Sequence, residues 1–226
     1  MAFESFVLAA STADLADEPA ARPHADVLEF RLDLAASPGE QLAAYDGALP
    51  VLATNRVRGE GGEAADEPAR LDALAAAVEH PAVEAVDVEL ASVEAGAADP
   101  VVDAARDHDG AVVVSAHDVE ATPSRASMRR TLRRAASAGD VGKLAVAAAG
   151  PGDVLDLLAV TWELSEAGHA VATMAMGDAG RVSRAVAPAF GSRIGYAPVD
   201  PADATAPGQY DLETLRGLVD ALAPDA

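Results

Sequence analysis

The sequence predicts a single-domain (β/α)8 TIM barrel spanning residues 1–226, on three observations. Eight short apolar runs recur, at 6–10, 27–32, 50–54, 85–90, 111–116, 141–147, 170–176 and 192–196. Segments with the spacing of amphipathic helices lie between them. The 226 residues are about the length that eight strand–helix units need, and no shift in composition marks an internal boundary.

Taken in order, several runs carry polar residues that an ordinary buried strand would not. In 28–33, Glu29, Arg31 and Asp33 alternate with Leu28, Phe30 and Leu32, so one face of this strand is lined with charge. Charges facing a barrel interior are costly unless they pair or bind something, and a structural Glu–Arg pair and a ligand site are equally open. The third run ends in Ala53-Thr54-Asn55-Arg56 and enters the glycine-rich stretch 57–62. Arg56 and Arg58 there suit either an anion site or solvated loop charge.

Helix signals follow. Leu71, Leu74, Ala75 and Val78 lie at i, i+3, i+4 and i+7 behind Asp66-Glu67-Pro68; Val154, Leu155, Leu158 and Trp162 are read as the apolar face of another helix, opened by Pro151 and stopped by Gly168. The stretch 210–222 reads as the closing helix. Loops at 58–67 and 200–209 are expected on or beside the face where barrel active sites are built.

The fifth run delivers His117 at its carboxyl end. A histidine there titrates near neutrality and suits proton transfer. His24, His80 and His108 fall near helix ends and His169 after a turn, positions with no chemical claim. The sixth run holds Lys143, the chain's only lysine among sixteen basic residues. A buried lysine needs a partner or a task, since burial favours the neutral amine. Arginine would serve in a salt bridge, whereas only lysine forms an imine. Met174 and Met176 close the seventh run, where methionine fills core gaps and lines rims alike.

Composition bounds the rest. Half the residues are hydrophobic but only 4% are aromatic, so the core is built from Ala, Val and Leu. There is no cysteine, which excludes disulfides, thiol nucleophiles and cysteine-held zinc. The net charge of −21 disfavours nucleic acid and anionic membranes as partners. No leader-like or membrane-length apolar segment occurs, so a soluble, cytoplasmic protein is expected. Acids spread along a lysine-poor chain point to adaptation to a high-salt cytoplasm, where screening offsets self-repulsion. The melting temperature should therefore rise with potassium chloride, and a flat or falling curve would contradict that reading.

Eight motifs in order resemble the type I 3-dehydroquinate dehydratases over nearly the whole chain. They are Glu-Phe-Arg-Leu-Asp at 29–33, Thr-Asn-Arg with Glu-Gly-Gly at 54–62, Ser-Ala-His-Asp with Thr-Pro at 115–123 and Gly-Lys-Leu-Ala-Val at 142–146. Met-Ala-Met-Gly at 174–177, Val-Ser-Arg at 182–184, Phe-Gly-Ser at 190–192 and Ala-Pro-Gly-Gln at 206–209 complete the set. The resemblance implies dehydration of 3-dehydroquinate to 3-dehydroshikimate in the shikimate pathway, through a Schiff base on Lys143 with His117 as general acid and base. It implies that Glu60 orients the histidine, that Arg184 and Gln209, with Thr205, hold the substrate carboxylate, and that Glu29, Arg31 and Arg56 bind ring hydroxyls. It further implies no metal or organic cofactor, and a homodimer. Thr205 stands where serine is common, Ala116 where asparagine is, and Asn55 where an aromatic residue is. The chain begins almost at its first strand, so the N-terminal hairpin that floors some relatives is not expected. The rival readings are an imine-forming aldolase barrel, which would carry phosphate-binding loops, and a non-catalytic descendant, which would have lost Lys143, His117 or Glu60.

Overall fold

A computed structural model describes residues 3–200, 202, 206 and 208–223. Eight parallel strands follow one another around a barrel: β1 (Val7–Thr12), β2 (Val27–Arg31), β3 (Val51–Thr54), β4 (Val83–Glu89), β5 (Ala111–Asp118), β6 (Val141–Ala147), β7 (Val171–Met176) and β8 (Ile194–Pro198). Seven seams are parallel ladders. The eighth, between β7 and β8, is held at one end, where Arg193 N donates to Val171 O (2.7 Å) and Thr173 N to Ser192 Oγ (3.0 Å). The expected barrel is thus present, with each strand within two residues or so of its expected bounds.

The helices are α1 (Glu18–Ala21), α2 (Pro38–Ala44), α3 (Glu67–Val78), α4 (Leu90–Glu94), α5 (Asp99–Asp107), α6 (Arg125–Ala138), α7 (Pro151–Glu166), α8 (Arg181–Val186) and α9 (Leu212–Leu222). Asp66 caps α3 by accepting from Ala69 N at 2.8 Å, and Asp211 caps α9 by accepting from Thr214 N at 2.8 Å. One expectation needs correction. On α7 the buried residues are Val154, Leu157, Leu158, Val160, Thr161 and Leu164, whereas Leu155 and Trp162 are 68% and 49% exposed. The stripe that meets the barrel runs 154, 157, 158, 161, and Leu155 and Trp162 lie on the neighbouring, outer stripe of the same periodicity.

Side chains alternate in and out along each strand. Outward residues such as Leu8, Leu28, Phe30, Val86 and Val112 pack under the helices. Inward residues at the amino ends form an apolar plug that includes Val27, Leu52, Ala85, Val113, Val141 and Ile194, and Phe3 joins this cluster at 7% exposure. Phe3 therefore adds an aromatic ring to this apolar cluster. Above the plug the inward positions become polar, and that change of character along the barrel axis creates the site.

Candidate active site

Inward positions near the carboxyl ends carry Ser11 (β1), Glu29 and Arg31 (β2), Thr54 (β3), Asp87 and Glu89 (β4), Ser115 and His117 (β5), Lys143 (β6), Met174 and Met176 (β7) and Tyr196 (β8). Lys143, although only 4% exposed, reaches a cavity of about 390 Å3 that is also lined by Glu29, Arg31, Arg56, Glu60, His117 and Arg184. That volume suits a small organic ligand.

Lys143 is held from three sides. Nζ donates to Asp87 Oδ2 at 2.9 Å and lies 3.9 Å from Glu29 Oε1. The Tyr196 ring is 4.0 Å from Nζ to its centroid, a cation–π distance. Asp87 is in turn shared: Ser115 Oγ donates to Oδ1 at 2.5 Å, and Arg56 Nη2 stands 2.7 Å from the same oxygen. Burial pushes the Asp87 carboxyl up, but Arg56 and Lys143 more than reverse this and hold it well below the usual carboxylate range. A fixed anion therefore sits beside Nζ. Glu29 accepts from Ser11 Oγ at 2.5 Å and from Thr54 Oγ1 at 3.1 Å.

The anions are balanced by a chain of cations running out of the barrel. Arg56 Nη1 donates to Glu89 Oε1 and to Ser115 Oγ, both at 2.7 Å. Glu89 Oε2 faces Arg70 Nη1 at 2.5 Å. Arg70, rising from α3 and 3% exposed, also forks onto Glu67 at 2.8 Å through both Nε and Nη2. Such buried charges are tolerable because each of these carboxylates and guanidinia meets an opposite charge. Arg31 is committed to Asp33 by a bidentate pair of 2.9 and 2.6 Å. Arg58 proves to be the solvated alternative: its ion pair with Glu63 at 3.5 Å leaves both side chains about two-thirds exposed.

The loop after β3 brings Glu60 over the barrel mouth. It folds back so closely that a Cβ on Gly62 would sit 2.1 Å from Arg56 O, and Gly61 adopts φ 84°; these are the reasons for the glycine pair. Glu60 Oε2 accepts from the backbone N of His117 at 3.0 Å and approaches its Nδ1 at 2.8 Å. Burial raises the Glu60 carboxyl to about 7 against the pull of Arg56. Burial first, then Arg56 and Lys143, hold the His117 imidazole well below its ordinary value. The ring is thus neutral at working pH, with Nδ1 committed to Glu60. In the β5–β6 ladder Ser115 pairs with Lys143 and His117 with Ala145, so His117 sits one inward step above the amine.

At the other side of the cavity Arg184, on α8 and 4% exposed, has no partner for Nε or Nη2 among the described residues. Burial alone lowers it, to about 10, so it stays a cation. Two further side-chain atoms, Arg56 Nη2 and Glu89 Oε2, lack an aligned hydrogen bond, yet both lie in the ion pairs given above. Ala206 and Gln209 line the cavity too, from a loop whose Gly208 packs with φ 77° against Gly177 O. Thr205 lies outside the described residues.

The structure thus brings Glu29, Arg31, Arg56, Glu60, His117, Lys143, Arg184 and Gln209 around one cavity. Sequence reasoning passed over Asp87, Glu89, Arg70 and Tyr196. The substitutions Asn55 and Ala116 fall away from the chemistry: Asn55 Nδ2 donates to Arg70 O at 3.0 Å, and Ala116 packs under the helices.

Residues 6–225 match the family model for type I 3-dehydroquinase. The 3-dehydroquinate dehydratase of Haloarcula marismortui is 61% identical over 100% of both chains, and that of Halobacterium salinarum is 53% identical over 97% of this chain and 98% of its own. Relatives from haloarchaea accord with the acid-rich composition. Among solved structures, 3-dehydroquinate dehydratase from Geobacillus kaustophilus superposes with a TM-score of 0.85 at 29% identity, covering 97% of this chain and 91% of that one. The type I enzyme from Clostridium difficile gives 0.84 at 26% identity, covering 96% and 92%. With its barrel and nearly its entire length matched, the chain belongs to the type I 3-dehydroquinase family.

Proposed function

We propose that this protein dehydrates 3-dehydroquinate to 3-dehydroshikimate, the shikimate-pathway step of aromatic amino acid biosynthesis, through a Schiff base on Lys143. One observation carries the reading: the chain's single lysine lies in the same cavity as a neutral histidine and an arginine whose Nε and Nη2 have no partner among the described residues. The Clostridium difficile relative, described with covalently modified comenic acid, is in keeping with a covalent route.

Lys143 Nζ adds to the substrate ketone, and loss of water leaves a protonated imine. Asp87 and the Tyr196 face beside Nζ stabilise that cation. The imine draws electrons from the neighbouring carbon, whose proton passes to His117 Nε2. The enamine so formed expels the hydroxyl at the next carbon, His117 returns a proton to it, and water leaves. Hydrolysis of the imine frees the enone and Lys143. Arg184, with Gln209 and Thr205, holds the carboxylate, for which a guanidinium fork is suited; Glu29, Arg31 and Arg56 face the ring hydroxyls. Lys143, His117, Glu60 and Arg184 come from one chain, so these groups of the site are assembled within a single protomer.

The test is to mix the protein in high salt with 3-dehydroquinate and borohydride and to map the adduct by peptide mass spectrometry. An adduct on the Lys143 peptide, with enone absorbance when borohydride is omitted, is the expected result. Folded protein giving neither would refute the reading.

The Glu60–His117 pair sets the pH dependence. When Glu60 is ionised, Nδ1–H donates to it and Nε2 keeps its lone pair. Protonated Glu60 donates instead, the ring proton moves to Nε2, and the base is lost. Because burial raises Glu60 to about 7, kcat/KM should fall about tenfold per unit below about pH 7. Glu60→Gln should remove this limb and lower the plateau; a limb unchanged in that variant would assign it elsewhere. The sign for stability is opposite. A carboxyl raised in the folded state adds nothing below its unfolded value, and its ionisation costs stability progressively up to about 7 and fully above it.

A further inference from the structure

Three buried polar atoms remain without a partner among the described residues: Arg184 Nε, Arg184 Nη2 and the Tyr196 hydroxyl. Each such group costs about 1–3 kcal/mol if it stays unsatisfied. At position 196 phenylalanine would keep the same ring against Lys143 without that cost, so the hydroxyl calls for an explanation. Both residues line a second, smaller cavity at the β7–β8 seam, which leaves about 10 Å3 for the centre of a water molecule. That is room for one water and nothing larger.

The other side-chain polar groups around it are engaged. Thr173 Oγ1 bonds to Thr161 Oγ1 at 2.6 Å, and Ser192 Oγ accepts from Thr173 N at 3.0 Å and turns toward Ile194 O at 3.4 Å. Among the described residues that line this space, only Arg184 and Tyr196 carry buried side-chain nitrogen or oxygen atoms without a partner. A water there accepts from the guanidinium and either accepts from the phenol or donates to it, which supplies two of the two to four polar partners that a buried water takes.

We propose that one ordered water in this cavity joins the Tyr196 hydroxyl to Arg184, making Tyr196 the positioning residue that aims the guanidinium at the substrate carboxylate. Among the described residues Arg184 has no carboxylate partner to fix it, unlike Arg31, Arg56 and Arg70 with their anionic partners. A buried arginine without a counter-ion needs another brace if its free N–H groups are to meet a ligand in a fixed geometry. Tyr196 therefore serves two neighbours, its face Lys143 and its hydroxyl Arg184.

The inference rests on the dehydratase reading for its kinetic consequence but not for the water itself. Tyr196→Phe keeps the ring and removes the hydroxyl. In a wild-type background that turns over 3-dehydroquinate, KM should rise about 5–30-fold with kcat within about threefold, the equivalent of one lost hydrogen bond. Binding of a substrate analogue without the carboxylate should be unchanged by Tyr196→Phe, which a general loosening of the fold would not produce. Crystal structures of the wild type and of Tyr196→Phe in high salt give the second readout: a water bonded to both residues in the first, and a shifted Arg184 in the second. Unchanged KM, an equal loss for the analogue, or a wild-type cavity without that water overturns the proposal. Wild-type protein that binds the water but shows no dehydration would sink the functional reading alone.

Discussion

Replacing Lys143 by alanine is expected to abolish borohydride trapping and to lower turnover by at least about 10,000-fold, because the remaining route must remove a proton beside an unactivated ketone. The substitution has a structural consequence as well. Asp87 is buried and would keep only Arg56 and Ser115, and leaving a buried charge short of a partner costs on the order of 3–5 kcal/mol. Loss of activity in Lys143→Ala alone could thus report unfolding. Lys143→Arg separates the two effects: it retains a cation for Asp87 but offers no amine able to form an imine. We expect Lys143→Arg to show the native circular dichroism in high salt and to be as inactive as Lys143→Ala. Substantial turnover by either variant would overturn the covalent mechanism, whatever the fold.

The sequence made the barrel legible because strands buried on both faces show as apolar runs, and the helices between them are short enough to be counted. It was less reliable where two readings share a periodicity. Leu155 and Trp162 repeat every seven residues just as a core face does, and only the position of the barrel decides which of two adjacent stripes of α7 turns inward. At the site, Glu29 and Arg31 could be found because their strand alternates without interruption. Asp87 and Glu89 flank Val88 in the same way, but β4 carries an irregularity at its amino end, where Val51 pairs with Val83 and Leu52 with Ala85. The slip leaves the exposed Glu84 out of step with Asp87 and Glu89, so the acids of 83–90 do not fall on one alternation and the charged face of the strand is obscured.

Arg70 was hidden for a different reason. It occupies a core-facing position of α3, and a search for apolar residues at helical spacing passes over a cation whose partners Asn55, Glu89 and Ser92 meet it only after folding. Tyr196 read as one more apolar residue of the last strand, since nothing local distinguishes a tyrosine kept for its ring from one kept for its hydroxyl. Glu60, by contrast, is a loop residue placed by two glycines. The glycine pair was visible in the sequence, yet a glycine-rich loop is a weak signal until Gly62 is seen against the Arg56 carbonyl.

Replacing His117 by alanine should leave imine formation in place while lowering turnover by about 100–10,000-fold, the range for removal of a positioned acid–base group. The two roles separate because they sit on different strands. Lys143 is fixed by Asp87 on β4 and Tyr196 on β8, contacts that do not pass through His117, whereas His117 is fixed by Glu60 from the loop after β3. Borohydride should therefore trap an adduct of His117→Ala on Lys143, and its mass should be that of the reduced imine of the undehydrated substrate. Wild-type protein, which carries the reaction through, should yield in addition an adduct lighter by one water. Glu60→Gln tests the same division from the other end: it keeps a hydrogen-bonding side chain beside Nδ1 but not a charge, so trapping should persist while proton transfer slows. If His117→Ala gives only the dehydrated adduct, another group removes the proton. If folded His117→Ala gives no adduct at all, the histidine serves imine formation itself, and the assignment of separate roles to β5 and β6 fails.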